Sequence, residues 1–223
     1  MREFLFATCP AALWIITAIH VVFMALIFSR YKKTRQKILI LTFDIAFGLF
    51  YDAFVLALGT LLPAGGLLLA LSRMRYVFHG MLIPLIFVIC AYALNAKGTV
   101  LKLVWALTGV LIALGVADGC VRQIGVETVA GVCRYASVSA PVWADIVNSL
   151  LTFGTVIPLM IVGIVVWVKQ KTPHLFLAGF LMFAFSGLGA ACLELMFYIS
   201  MYGEVLMTAF FYLYACKKTN QRK

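Results

Sequence analysis

Asp52, Arg75 and His79 are the residues of this chain whose types and spacing most plainly invite chemistry, because each stands inside a long apolar run. An ionisable side chain in hydrocarbon costs at least about 2.5 to 3.5 kcal/mol on insertion scales unless it finds a partner. A carboxylate, a guanidinium and an imidazole at similar depth can neutralise one another, hold a small polar group, or pass a proton. At roughly 100° per residue, Asp44, Gly48, Tyr51, Asp52 and Gly59 share one helical face. Ser72, Arg75 and His79 share a face of the following run, while Arg73 points away and can snorkel to the interface. With a tight turn between Pro63 and Gly66, Asp52 lies about 15 Å below the nearer surface and Arg75 and His79 about 12 to 18 Å, so the three can meet.

The same depth argument pairs His20 with Asp44 towards the opposite surface. Asp118, Asp145, Asn148, Glu194 and Glu204, with Tyr198 and Tyr202, fall within about two turns of helix ends on the Asp52 side. Together these residues read as a polar cavity in the outer half of a membrane protein, open to the outside and floored by Asp52, Arg75 and His79. Such a site binds or transports a small polar solute, ion or lipid headgroup. Two other readings use the same groups. In a lipid-modifying enzyme, Asp52 or His79 is the general base and Arg75 holds a phosphate. In a non-catalytic receptor or assembly subunit, the charges are structural and a partner reads the loops.

Several chemistries find no support. His20, His79 and His174 are too scattered for a metal centre, and no cofactor is expected. The last apolar run, EVLMTAFFYLYAC, has no central lysine for a retinal Schiff base. No Walker A loop, dinucleotide-binding glycine motif, H-E-x-x-H or G-x-S-x-G occurs. The net charge of +10 comes as short clusters between apolar runs, which argues against nucleic acid and for membrane topology. Cys120 and Cys133 are spaced so that a disulfide could close a small loop, an alternative to two unpaired thiols. Cys9, Cys90, Cys192 and Cys216 show no C-x-x-C pairing.

The elements that must position these groups are membrane helices. Of 223 residues, 65% are hydrophobic and 12% charged, far from the usual soluble composition. A span needs roughly 20 apolar residues, so the chain reads as one all-α bundle of about seven transmembrane helices with no separate soluble domain. The spans are drawn at 4 to 29, 38 to 62, 67 to 94, 99 to 117, 142 to 168, 174 to 197 and 201 to 216. The first is too long for a signal peptide and reads as retained. Arg30, Lys32, Lys33, Arg35 and Lys37, then Lys97 and Lys102, then Lys169 and Lys171, then Lys217, Lys218, Arg222 and Lys223 mark one side, the last two lying outside the residues described below. The lysine bias makes that side cytoplasmic and the N-terminus external, with the plasma membrane of a bacterium as the expected host. Ser186, Gly187, Gly189, Ala190 and Ala191 read as a packing stripe on the sixth span.

Overall fold

A computed structural model describes residues 2–220. Its helices are α1 (Arg2–Thr34), α2 (Lys37–Leu58), α3 (Gly66–Leu82), α4 (Leu85–Ala93), α5 (Gly98–Val121), α6 (Val142–Gln170), α7 (His174–Ala190) and α8 (Met196–Asn220). A 3-10 turn at Leu193–Leu195 precedes α8, and two strands, β1 (Gln123–Val129) and β2 (Val132–Ser139), join α5 to α6. Helices α3 and α4 form one span, Gly66–Ala93, interrupted at Ile83 and Pro84, where proline removes a backbone donor. Six spans are long and apolar enough to cross a membrane, and α7 is a shorter apolar helix of 17 residues. The chain is thus a multipass helical membrane protein.

The lipid-facing surface is written into the helical period. On α6, Ile146, Leu150, Phe153, Ile157, Ile161, Ile164 and Val168 are exposed, at steps of three and four, while Ala144, Val147, Leu151, Thr155, Leu159, Gly163 and Val166 are buried. An exposed apolar stripe of that length belongs against acyl chains. The helices pack as a ring in sequence order, closed by α8 against both α7 and α1. Across its middle, α2 touches α8 and α4 touches α6.

Glycines set the closest approach. Gly80 of α3 and Gly115 of α5 face each other so tightly that a Cβ on either would overlap the other's backbone, and a Cβ on Gly119 would come within 2.8 Å of the Tyr76 backbone. Gly115 and Gly119 form a small-xxx-small pair, which lets two backbones exploit dispersion where lipid offers no hydrophobic drive. Gly115→Leu should therefore lower stability in detergent by about 1 to 3 kcal/mol through overpacking, measured by thermal denaturation. A variant as stable as the parent would place the α3–α5 contact elsewhere.

Several boundaries differ from those read in the sequence. The first helix runs on to Thr34, because Arg30, Lys32 and Lys33 extend a helix readily and complement its C-terminal dipole. The fourth span reaches Val121, the sixth stops at Ala190, and the last begins at Met196 rather than 201. The connection after α5 is no irregular loop. Its residues Gln123–Val129 and Val132–Ser139 pair antiparallel, and Ala130 (φ 52°) and Gly131 (φ 74°) make the two-residue turn with both φ positive that suits a tight hairpin.

That hairpin folds over one end of the bundle. The Cys133 amide donates to the Gly59 carbonyl at 2.8 Å, and the Tyr135 hydroxyl donates to the Gly65 carbonyl at 3.4 Å. Val132 is buried with Cys9, Leu13, Ala53, Leu56 and Tyr198, and Gly131 lies against Pro10. No bond joins Cys120 to Cys133; both are free thiols. The opposite end gathers the basic turns, where Lys217 Nζ donates to the Lys171 carbonyl at 2.8 Å and Lys218 Nζ to that of Tyr92 at 2.5 Å.

Candidate functional site

Helices α2 and α3 bring the expected pair together. Arg75 Nε donates to Asp52 Oδ1 at 2.5 Å, with the two side chains 11% and 17% accessible. Asp52 lies six residues before the end of α2 and Arg75 nine after the start of α3, about 9 and 14 Å from the hairpin end at 1.5 Å per residue. Asp52 also carries a charge that bears on three further ionisable groups, two of them buried and His79 partly exposed. His20 of α1, His79 of α3 and Glu204 of α8 all lie within its electrostatic range, and His79 and Glu204 within that of Arg75. Five ionisable side chains from four helices thus converge on one core.

Its members are unequally satisfied. Glu204 is 5% exposed and its Oε2 has no hydrogen-bond partner. His20 is fully buried with neither ring nitrogen bonded, and the Ser72 hydroxyl is buried and unbonded. Buried polar groups in native proteins are overwhelmingly paired, so orphans clustered around one ion pair mark a place built for something more than packing.

One of these residues was differently placed by sequence reasoning. His20 does not pair with Asp44. With α1 extended to Thr34, His20 lies about 21 Å from the basic end, whereas Asp44 lies about 10 Å from it. The Trp14 indole, six residues before His20, donates to the Thr60 hydroxyl at 3.2 Å, which sets α1 so that His20 comes level with Asp52. Glu204 stands about two turns from the start of α8 at Met196, at the depth counted from the sequence, and it is buried there. Tyr51 does not touch the ion pair: its hydroxyl donates to the Leu71 carbonyl at 3.3 Å and its ring packs edge-on to Phe78.

A cleft of about 60 Å³ reaches this core from the side. His79 and Glu204 line it with Ser186 of α7 and Thr155 of α6, and Thr152, Phe153 and Phe183 along it are exposed to the bilayer. Gly163 abuts the Phe176 backbone and Gly179 meets Leu159 and Met160, so α6 and α7 pack closely towards their connected ends. Further along α7, Ser186 lines the cleft and Gly187 is exposed outside it. The hairpin lies across the ends of α1, α2 and α3, while the exposed residues of the cleft lie to the side, on α6 and α7.

A second polar network holds the hairpin's base. Arg122 donates to Asp118 Oδ1 through Nη2 at 2.8 Å and through Nε at 3.1 Å, and through Nη1 to Asp145 at 3.2 Å and Ser137 Oγ at 3.0 Å. Asp118 and Arg122 are each 6% exposed. Arg73 Nη1 donates to the carbonyls of Gly119 and Arg122, capping the C-terminus of α5 at the hairpin end. Arg134 binds Glu127 at 2.7 Å and stacks 4.1 Å from the Phe197 ring centroid. Burial pushes its guanidinium below the ordinary arginine range, against the pull of Glu127. Asp145 thus belongs to the hairpin clamp, Asn148 is exposed on α6, and Glu194 is exposed in the 3-10 turn, all apart from the core.

No family model matches the chain, and no curated protein matches it. Among the described residues no group of three or more His, Cys, Asp or Glu could hold a metal ion.

Proposed function

We propose that this protein binds a small polar group within the membrane, at the core of Asp52, Arg75, His79, His20 and Glu204, and carries or senses the solute, ion or lipid headgroup that bears it. The observation that carries the reading is Glu204, a buried carboxyl with an unbonded oxygen at the inner wall of the cleft. Asp52 and Arg75 cancel one another, so Glu204 is the acidic group left over. That favours a ligand supplying a positive charge or a hydrogen-bond donor.

The lateral opening favours a ligand that arrives from the bilayer, an amphiphile whose head passes between α6 and α7. It also weakens the enzyme reading in which Arg75 grips a phosphate, because that guanidinium is already held by Asp52. In this reading the lysine-rich end faces the cytoplasm and the hairpin faces outward.

Dodecylamine, a single chain with an ammonium head, serves as the probe. We expect it to raise the melting temperature of the purified protein in neutral detergent, and dodecanoate to leave it unchanged. Glu204→Gln should weaken the dodecylamine response at least tenfold in midpoint concentration, while Glu194→Gln retains it. Equal responses from the parent and Glu204→Gln would sink the proposal.

A further inference from the structure

The turns at the lysine-rich end enclose a second and larger space, about 430 Å³, between the α1–α2 connection, the α4–α5 connection and the end of α8. Arg35, Lys37, Lys97 and Lys218 line it together with Tyr92 and Asn95, and among the described residues no acidic side chain does. Four cations around one cavity repel one another unless an anion joins them. The arrangement is held in place by the backbone and by neighbouring groups. Lys218 is anchored through the Tyr92 carbonyl, the Lys37 ammonium lies 5.9 Å from the Tyr92 ring centroid, and the Arg35 guanidinium stands 5.6 Å from that of Tyr31. Arg35 (φ 53°) and Asn95 (φ 58°) both adopt the left-handed conformation that turns each connection sharply back towards the bundle.

Arg35, Lys37 and Lys97 are the exposed members, so their charges are available to a ligand. The remaining wall is apolar in part, with Ile38, Ala96 and Leu101 facing the same space beside Thr34 and Gln36. A basic pocket with an apolar wall between helices, level with a membrane surface, has the makings of a phosphate site whose occupant keeps its chains in the bilayer.

We infer that this cavity binds a phosphate-bearing anion, held by Lys37, Lys97, Arg35 and Lys218. It is separate from the polar core, which lies in the other half of the bundle, and it stands whether or not that core binds an amine. Two sources carry the same chemistry, an anionic phospholipid headgroup and a soluble phosphate.

Full-length protein in neutral detergent, titrated with phosphatidylglycerol or phosphatidylcholine and followed by native mass spectrometry, tests the inference. Phosphatidylglycerol should remain bound and phosphatidylcholine should not. Lys37→Gln/Lys97→Gln should reduce the bound phosphatidylglycerol at least fivefold, and Lys37→Arg/Lys97→Arg should restore it. Lys32→Gln/Lys33→Gln, which removes the same charge from the same end outside the cavity, should retain it. Displacement of the lipid by millimolar inorganic phosphate would identify a soluble phosphate as the occupant, and resistance to it a lipid. Equal losses from the two glutamine pairs, or equal retention of both lipids, would overturn the site in favour of diffuse attraction to a basic surface.

Discussion

Replacing Asp52 by Asn lowers the stability of the folded protein in detergent by about 3 kcal/mol, because it leaves the Arg75 guanidinium charged and unpaired in a nearly closed site. Loss of the pair as a whole is milder. Arg75→Met fills much of the same volume with an uncharged chain, so the double variant Asp52→Asn/Arg75→Met should be more stable than the sum of the single losses predicts, by at least about 1.5 kcal/mol. Equilibrium unfolding of the four proteins measures that coupling directly. Additive losses would show that the two side chains do not act on each other. The double variant also separates structure from function: if it folds but no longer responds to dodecylamine, the charges serve binding as well as packing.

Arg122→Ala should do comparable damage at the other network, about 3 kcal/mol, because Asp118 then stays buried without its partner. The lesion should be local before it is global. Arg122 joins the end of α5 to Ser137 on β2 and to Asp145 at the start of α6, so its loss frees the base of the hairpin while the turn remains fixed against α1. Amide hydrogen exchange across Gln123–Ser139 should accelerate at least tenfold, with exchange in the middle of α2 unchanged. Uniform acceleration through all helices would mean that Arg122 supports the bundle as a whole.

The helices were legible in the sequence because membrane spans are specified by length and hydropathy, and the Asp52–Arg75 pair because its depth follows from counting residues at a fixed rise from a well-marked turn. His20 was misplaced by the same arithmetic, since it starts from helix ends, and Glu204 kept its depth although its helix starts earlier than counted. The polar residues Arg30 to Lys33 hide the true end of α1, and Tyr198, Ser200 and Tyr202 hide the true start of α8. The hairpin had a visible signal, the alternation in QIGVETV and VCRYASVS around Ala130 and Gly131, which was outweighed by the expectation of helices alone. The Arg122 clamp was not legible at all, as its partners come from three elements whose meeting depends on that hairpin.

Ser186 and Gly187 carry a lesson about small residues in lipid. Such residues usually mark where helices touch, and those of Gly163 and Gly179 do. On the hairpin side of α7 Ser186 lines the cleft and Gly187 meets no neighbour, so neither marks such a contact.

A cleft whose walls are exposed apolar side chains of two membrane helices is open to the lateral pressure of the chains around it. If Glu204 binds as proposed, access to it would then vary with how tightly the surrounding lipids pack.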